Sequence, residues 1–138
     1  MTRDAKKRLV QRLHYLWNTG DLSLIPEIYA PDFVAHMPKG WDVSEWSGHD
    51  GVREAINAIR TAFSEWTETI ADMISEDDRV VTRYVSTGRH TGPFIGIAPT
   101  GKHIRLDEIS IYRLQNGRVA EQWCLTDETL ARQLRAQK

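Results

Sequence analysis

Cysteine is almost missing from this chain: Cys124 stands alone among 138 residues. One thiol cannot close an internal disulfide, so the core must hold the fold, and a reducing, cytoplasmic compartment suits it. An excess of charge is missing too, with 18 Lys and Arg against 19 Asp and Glu and a net charge of −1. The one basic cluster, Lys6-Lys7-Arg8, falls on the polar side of an N-terminal helix. Nucleic acid and membrane surfaces are therefore not expected partners. No apolar run reaches the roughly 18 residues of a membrane span, and no signal-peptide stretch opens the chain. A G-x-S-x-G elbow for a serine nucleophile is absent. The histidines (His14, His36, His49, His90 and His103) show neither i, i+4 spacing nor a paired carboxylate motif, so no metal site is expected. Repeats and low-complexity linkers are lacking, and a single domain over residues 1–138 is expected.

What is present concentrates in Gly88-Arg-His-Thr-Gly-Pro-Phe-Ile-Gly-Ile-Ala-Pro-Thr-Gly101, with four glycines and two prolines in fourteen residues. Glycine costs entropy in a helix and proline lacks the donor, so this is a loop. His90, Phe94, Ile95 and Ile97 make it apolar, and long strands flank it, which suggests the lining of a pocket mouth. Gly96-Ile-Ala-Pro-Thr-Gly101-Lys102 mimics a phosphate-binding loop. However, His103 stands where a hydroxyl is needed, and a strand pattern follows where a helix should.

Leu9, Leu13, Leu16 and Trp17 predict a helix over residues 4–19, stopped by Gly20. A short helix over 23–29, with Pro26 in its first turn, precedes a strand over 32–37. Residues 38–50 read as a loop holding Trp41 and Trp46. Val52, Ala55, Ile56, Ile59 and Phe63 mark a third helix, with Asp50 as a possible cap. Strands follow at 67–75, 79–87, 104–114 and 118–126, the last two joined by Asn116-Gly117. A final helix is expected over 127–136, capped by Thr126 or Asp127. The order gives an α+β domain: a curved mixed or antiparallel sheet, covered on one side by about three to four helices, closing into a cone with a ligand cavity.

Five segments, in this order and spacing, resemble a known family: Trp17-Asn-Thr-Gly-Asp21, Gly88-Arg-His-x-Gly92, Gly96-Ile-Ala-Pro-Thr-Gly101, Ile111-Tyr-Arg-x-x-Asn-Gly117 and Glu121-x-Trp123-x-x-x-Asp127, closed by Gln133-Leu134. The family is the SnoaL-like polyketide (ester) cyclases, within the cystatin-like, nuclear-transport-factor-two-like fold. The resemblance implies a cone-shaped α+β barrel, a homodimer, no metal or organic cofactor, and ring closure of a polyketide ester by an intramolecular aldol reaction. It also implies a difference. The acid–base Asp of the ring-closing cyclases aligns with Cys124, and their His in the preceding strand with Ser110.

The expected partner is a small, largely apolar, oxygen-bearing molecule, handled by proton transfer: ring closure, isomerisation or hydration. The rival reading is a non-catalytic binding or oligomerisation module. Candidate acid–base residues are His90, Asp127 and Glu108. Asp127 could instead cap the last helix, and His90 could instead hold its loop. Glu108 shares strand parity with Ser110 and Tyr112, whereas adjacent Asp107 faces the other way. Trp17, His36, Phe94, Ser110, Tyr112, Trp123 and Cys124 are the candidate cavity-shaping residues, with structural placement the plainer reading for His36 and the aromatics. Arg105 with Asp107 is a faint hint of the arrangement that adds water to epoxides in the limonene-epoxide-hydrolase branch. Register decides which residues meet. A two-residue Asn-Gly loop pairs Ser110 with Trp123; a three-residue loop including Gln115 pairs Ser110 with Gln122 and puts Cys124 on the face of Glu108.

Overall fold

Helix α1 (Arg3–Thr19) starts where Thr2 accepts the Ala5 N–H, and Asp4 complements the dipole of its first turn. It stops at Gly20, whose φ of 72° is left-handed and whose N–H returns to Leu16. The computed structural model describes residues 1–135. After a 3₁₀ turn (Leu22–Leu24) come α2 (Ile25–Ile28), β1 (Tyr29–His36), β2 (Glu45–Ser47) and α3 (Gly48–Ala62). Strands β3 (Phe63–Glu76), β4 (Arg79–His90), β5 (His103–Gln115) and β6 (Arg118–Thr126) follow, then α4 (Leu130–Arg135).

The six strands form one sheet in the order β2-β1-β6-β5-β4-β3. β1 runs parallel to β6, and every other pairing is antiparallel. Bulges between Ser64 and Thr67, between Ile70 and Asp72 and between Arg113 and Leu114 bend the long strands. The sheet thus curls into an α+β cone but does not close; β2 and β3 stay as edges. One apolar core packs α1 and α2 onto the sheet through Leu13, Leu16, Ile28 and Tyr112. A second joins the end of α3 to the glycine-rich loop and α4 through Phe63, Trp66, Phe94 and Leu130.

Several boundaries differ from the sequence reading. Tyr29 already begins β1, because α2 lasts only one turn after Pro26. The 38–50 loop contains β2, which pairs with β1. Helix α3 begins at Gly48, so Asp50 lies inside its first turn and bonds Arg53 rather than capping. Helix α4 starts three residues after Asp127, and its expected end at Ala136 falls outside the described residues.

Neither hairpin register is realised as stated. The turn is the two-residue Asn116-Gly117, with Gln115 opposite Arg118, but a bulge near Ala120 shifts the ladder so that Ser110 faces Cys124. That extra residue puts Cys124, Ser110 and Glu108 on one face. The P-loop look-alike runs into strand β5, as its sequence indicated.

Candidate active site

Alternation along three strands builds the wall of the cone. The inward files run Thr82-Tyr84-Ser86 on β4, Glu108-Ser110-Tyr112 on β5 and Gln122-Cys124 on β6, and all eight residues are buried. A core this polar is costly unless its groups are partnered. They are. Tyr84 Oη lies 2.9 Å from Ser110 Oγ and 3.5 Å from Cys124 Sγ. Gln122 Nε2 donates to Ser110 Oγ at 3.1 Å. Ser86 donates to Glu108 Oε2, and Cys124 Sγ approaches Glu108 Oε1 at 3.8 Å.

From the opposite side α1 and β3 contribute a second cluster. His14 Nδ1 lies 2.7 Å from Glu68 Oε1, and its Nε2 lies 3.0 Å from Thr82 Oγ1 and 3.2 Å from Tyr112 Oη. Trp66 Nε1 donates to Glu68 Oε2 at 2.9 Å.

Glu68, Glu108, Tyr84 and Tyr112 face a narrow cavity of about 30 Å³, whose other walls are largely apolar and include Trp17, Trp41 and Trp46. That is room for about two waters. Met37, Trp41 and Trp46 also border a wider outer cleft of about 480 Å³, between α3, the 37–46 segment and Pro93-Phe94. Burial pushes the Glu108 carboxyl up to about 8, and the nearby Glu68 adds to the push. Glu108 therefore carries a proton at neutral pH. Burial also lifts the Cys124 thiol and the Tyr84 and Tyr112 phenols well above their ordinary ranges, so all three remain neutral.

Of the expected acid–base residues, Glu108 alone faces this cavity. His90 is fully buried beside Phe63, and its Nδ1 accepts the Thr100 N–H at 3.2 Å and lies 3.0 Å from Thr100 Oγ1. It holds the loop instead of lining the cavity, and burial lowers its pKa. Asp127 accepts from the N–H and hydroxyl of Thr129 and from the Asp107 N–H. Partial burial pushes its carboxyl up, but these hydrogen bonds outweigh that and hold it below the usual range. It organises the turn before α4.

Trp17, Tyr112 and Cys124 line the inner cavity, and Phe94 the outer cleft. Ser110 stands behind the wall, holding Tyr84 and Gln122. His36 and Trp123 lie on the other side of the sheet, stacked at 5.6 Å, because the inward positions of β1 and β6 belong to Phe33, Ala35, Gln122 and Cys124. Arg105 and Asp107 are likewise outward and exposed, paired at 3.3 Å.

His14, Glu68, Tyr84 and Gln122 were missed by the sequence reading, yet signals existed. His14 follows Val10 by one helical turn on the core-facing side of α1, and Tyr84 alternates with Val80 and Thr82. The Trp17-Asn-Thr-Gly-Asp21 segment also finds its reason here. Asn18 Oδ1 accepts the Glu68 N–H at 2.6 Å and Nδ2 donates to the Glu68 carbonyl at 3.1 Å, while Trp17 Nε1 donates to Tyr29 Oη. Among the described residues no group of three or more His, Cys, Asp or Glu is disposed to hold a metal ion. No described helix is long and apolar enough to cross a membrane.

Solved structures share this architecture. TsrD from Streptomyces laurentii superposes with a TM-score of 0.85 at 26% identity, covering 99% of both chains. IdmH from Streptomyces antibioticus gives 0.78 at 29% identity, covering 95% of this chain and 99% of its own. The nogalonic acid methyl ester cyclase of Streptomyces nogalater is 24% identical over 106 residues, which is 76% of this chain and 78% of that protein. The family model for SnoaL-like polyketide cyclases matches residues 7–134, nearly the whole length, so the chain belongs to the SnoaL-like polyketide cyclase family.

Proposed function

We propose that this protein is an acid–base enzyme acting on a small, largely apolar, carbonyl-bearing molecule, with Glu108 as its proton donor. One observation carries the reading: a fully buried carboxyl that keeps its proton at neutral pH faces the same narrow cavity as a second carboxylate, Glu68. A carboxyl kept neutral beside a second carboxyl group in one cavity is an arrangement suited to acid–base work. A protonated Glu108 in an aromatic-walled site can donate to a carbonyl oxygen, with Tyr84 and Tyr112 as further neutral donors. The inner space admits only the reacting carbonyl end, and the outer cleft accommodates the body of the molecule. The name of the Streptomyces nogalater relative favours an ester and ring closure among the possible proton-transfer reactions. The rival reading is a non-catalytic binding or oligomerisation module, whose cavity is narrow or filled by its own side chains. The inner space is narrow, and the convergence of two glutamates on it is what favours the enzyme.

A thermal-shift screen of small esters, ketones and lactones identifies ligands, since one at about 100 times its dissociation constant adds roughly 2.7 kcal/mol. On a turned-over member, Glu108→Gln is expected to lower kcat/KM by about 100-fold or more. The wild-type rate should fall tenfold per pH unit above about 8, where Glu108 loses its proton. Full activity in Glu108→Gln refutes the assignment.

A further inference from the structure

Removing a proton next to a carbonyl needs a base as well as an acid, and the cavity holds a second carboxylate on a different part of the fold. We propose that Glu68 is that base and that His14 is its positioning residue. A histidine–carboxylate pair on α1 and β3 would then do the work for which Ser110 and Cys124, on β5 and β6, offer neither imidazole nor carboxylate. The inference rests on the acid–base reading of the cavity.

The geometry holds Glu68 at both ends. Asn18 clasps its backbone N–H and carbonyl. Its Oε2 accepts from the Trp66 indole, which has only a donor to give, and its Oε1 lies 2.7 Å from His14 Nδ1. The side chain is 7% exposed, and it lines the cavity. Fixed in this way, Glu68 still presents oxygen lone pairs to the cavity, where they can accept a proton from its occupant.

His14 is enclosed on every side: by Glu68, by Thr82 and Tyr112 at Nε2, and by the Tyr84 ring with centroids 4.6 Å apart. It does not line the cavity itself and acts through the groups that do, Glu68 first among them. The acid and the base are also neighbours. Glu68 pairs across β3 and β4 with Ser86, and Ser86 donates to Glu108. Only strand β4 lies between the two carboxyl groups, and charge on Glu68 favours the proton on Glu108.

The step balances without any outside reagent. Glu68 takes the proton from the carbon beside the substrate carbonyl, the C–H pair becomes the C=C bond of an enol, and the carbonyl oxygen takes the proton of Glu108. That carbon attacks a second carbonyl of the same molecule and forms a C–C bond. The enol O–H returns its proton to Glu108, and the new alkoxide receives the proton held by Glu68. The substrate class is thus an apolar molecule with two carbonyls and a C–H beside one of them.

The first half of this step is measurable alone, as exchange of the protons beside the carbonyl of 2-tetralone in D₂O, followed by NMR. Wild type is expected to exceed the buffer rate. Glu68→Gln should lower kcat for exchange by about 100-fold with little change in KM, and Glu68→Asp should restore part of it. His14→Gln should lower kcat by about tenfold and displace the low-pH limb of the profile, a change that loss of packing alone would not make. If Glu68→Gln does not fold, by circular dichroism, His14→Gln carries the test, and an unaltered pH profile there overturns the proposal. Full exchange in folded Glu68→Gln, with exchange lost in Glu108→Gln, overturns the base while leaving the acid in place. Exchange by wild type no faster than buffer overturns both.

Discussion

Glu108 shows how burial sets the chemistry of one residue. Its carboxyl is raised to about 8 in the fold, while an exposed glutamate titrates near 4.5. Between those values the folded chain binds a proton that the unfolded chain has released. The stabilising contribution of the protonated form is therefore complete below about pH 4.5 and is lost as pH rises through about 8. Glu108→Gln keeps the neutral shape without the titration. Chemical denaturation at pH 5 and pH 9 should show wild type losing on the order of a few kcal/mol across the interval, and Glu108→Gln much less of it. An equal loss in both proteins would contradict this account of Glu108. Parity along β5 made Glu108 legible in the sequence. Its proximity to Glu68 was not, because the two lie forty positions apart and meet only across β4.

At the scale of elements, the glycine-rich loop is held at its base by close packing. A Cβ on Gly92 would sit 2.4 Å from the Thr61 carbonyl oxygen at the end of α3, while the Thr91 and Gly92 N–H groups both donate to Ala62. Gly92→Ala is therefore expected to cost about 2 kcal/mol, visible as a lower Tm, with faster amide exchange over residues 91–102. His90 fastens the same loop by accepting the Thr100 N–H, and its Nε2 is buried without a partner. Because its folded pKa is lowered, its neutral form stabilises the fold above the ordinary histidine range and the benefit is lost as pH falls. Amide exchange in the loop should thus accelerate in acid, and His90→Gln should blunt that response. The sequence announced the loop through its breakers. It could not tell a histidine that faces a cavity from one that ties a loop, since both alternate correctly on β4.

Among the described residues, the outer face of the sheet carries a row of apolar side chains without cover. Ile74, Val81, Ile111 and Trp123 stand in register across β3, β4, β5 and β6 on the outer side of the sheet, beside Ile109 and Leu125. Leu125 and Ile74 are 67% and 64% exposed. Charges of both signs fringe the patch, in the Asp72–Arg83 and Arg113–Glu121 pairs, so two copies related by a twofold axis can complement each other. We propose that a second copy of the chain covers this face. On this proposal wild type sediments as a dimer and Leu125→Glu as a monomer, and a monomeric wild type would exclude the interface.

The chain alone determined its class and order of elements, because periodicity, breakers and the Asn116-Gly117 turn act over a few residues. It also fixed the resemblance, which rests on motif spacing. The tertiary structure decided which polar groups share the cavity. A single bulge in β6 set the face of Cys124, curvature brought β3 to β5 through β4, and α1 delivered His14 to Glu68 across 54 positions. Those meetings depend on long-range packing, and local preference along the chain carries no information about them.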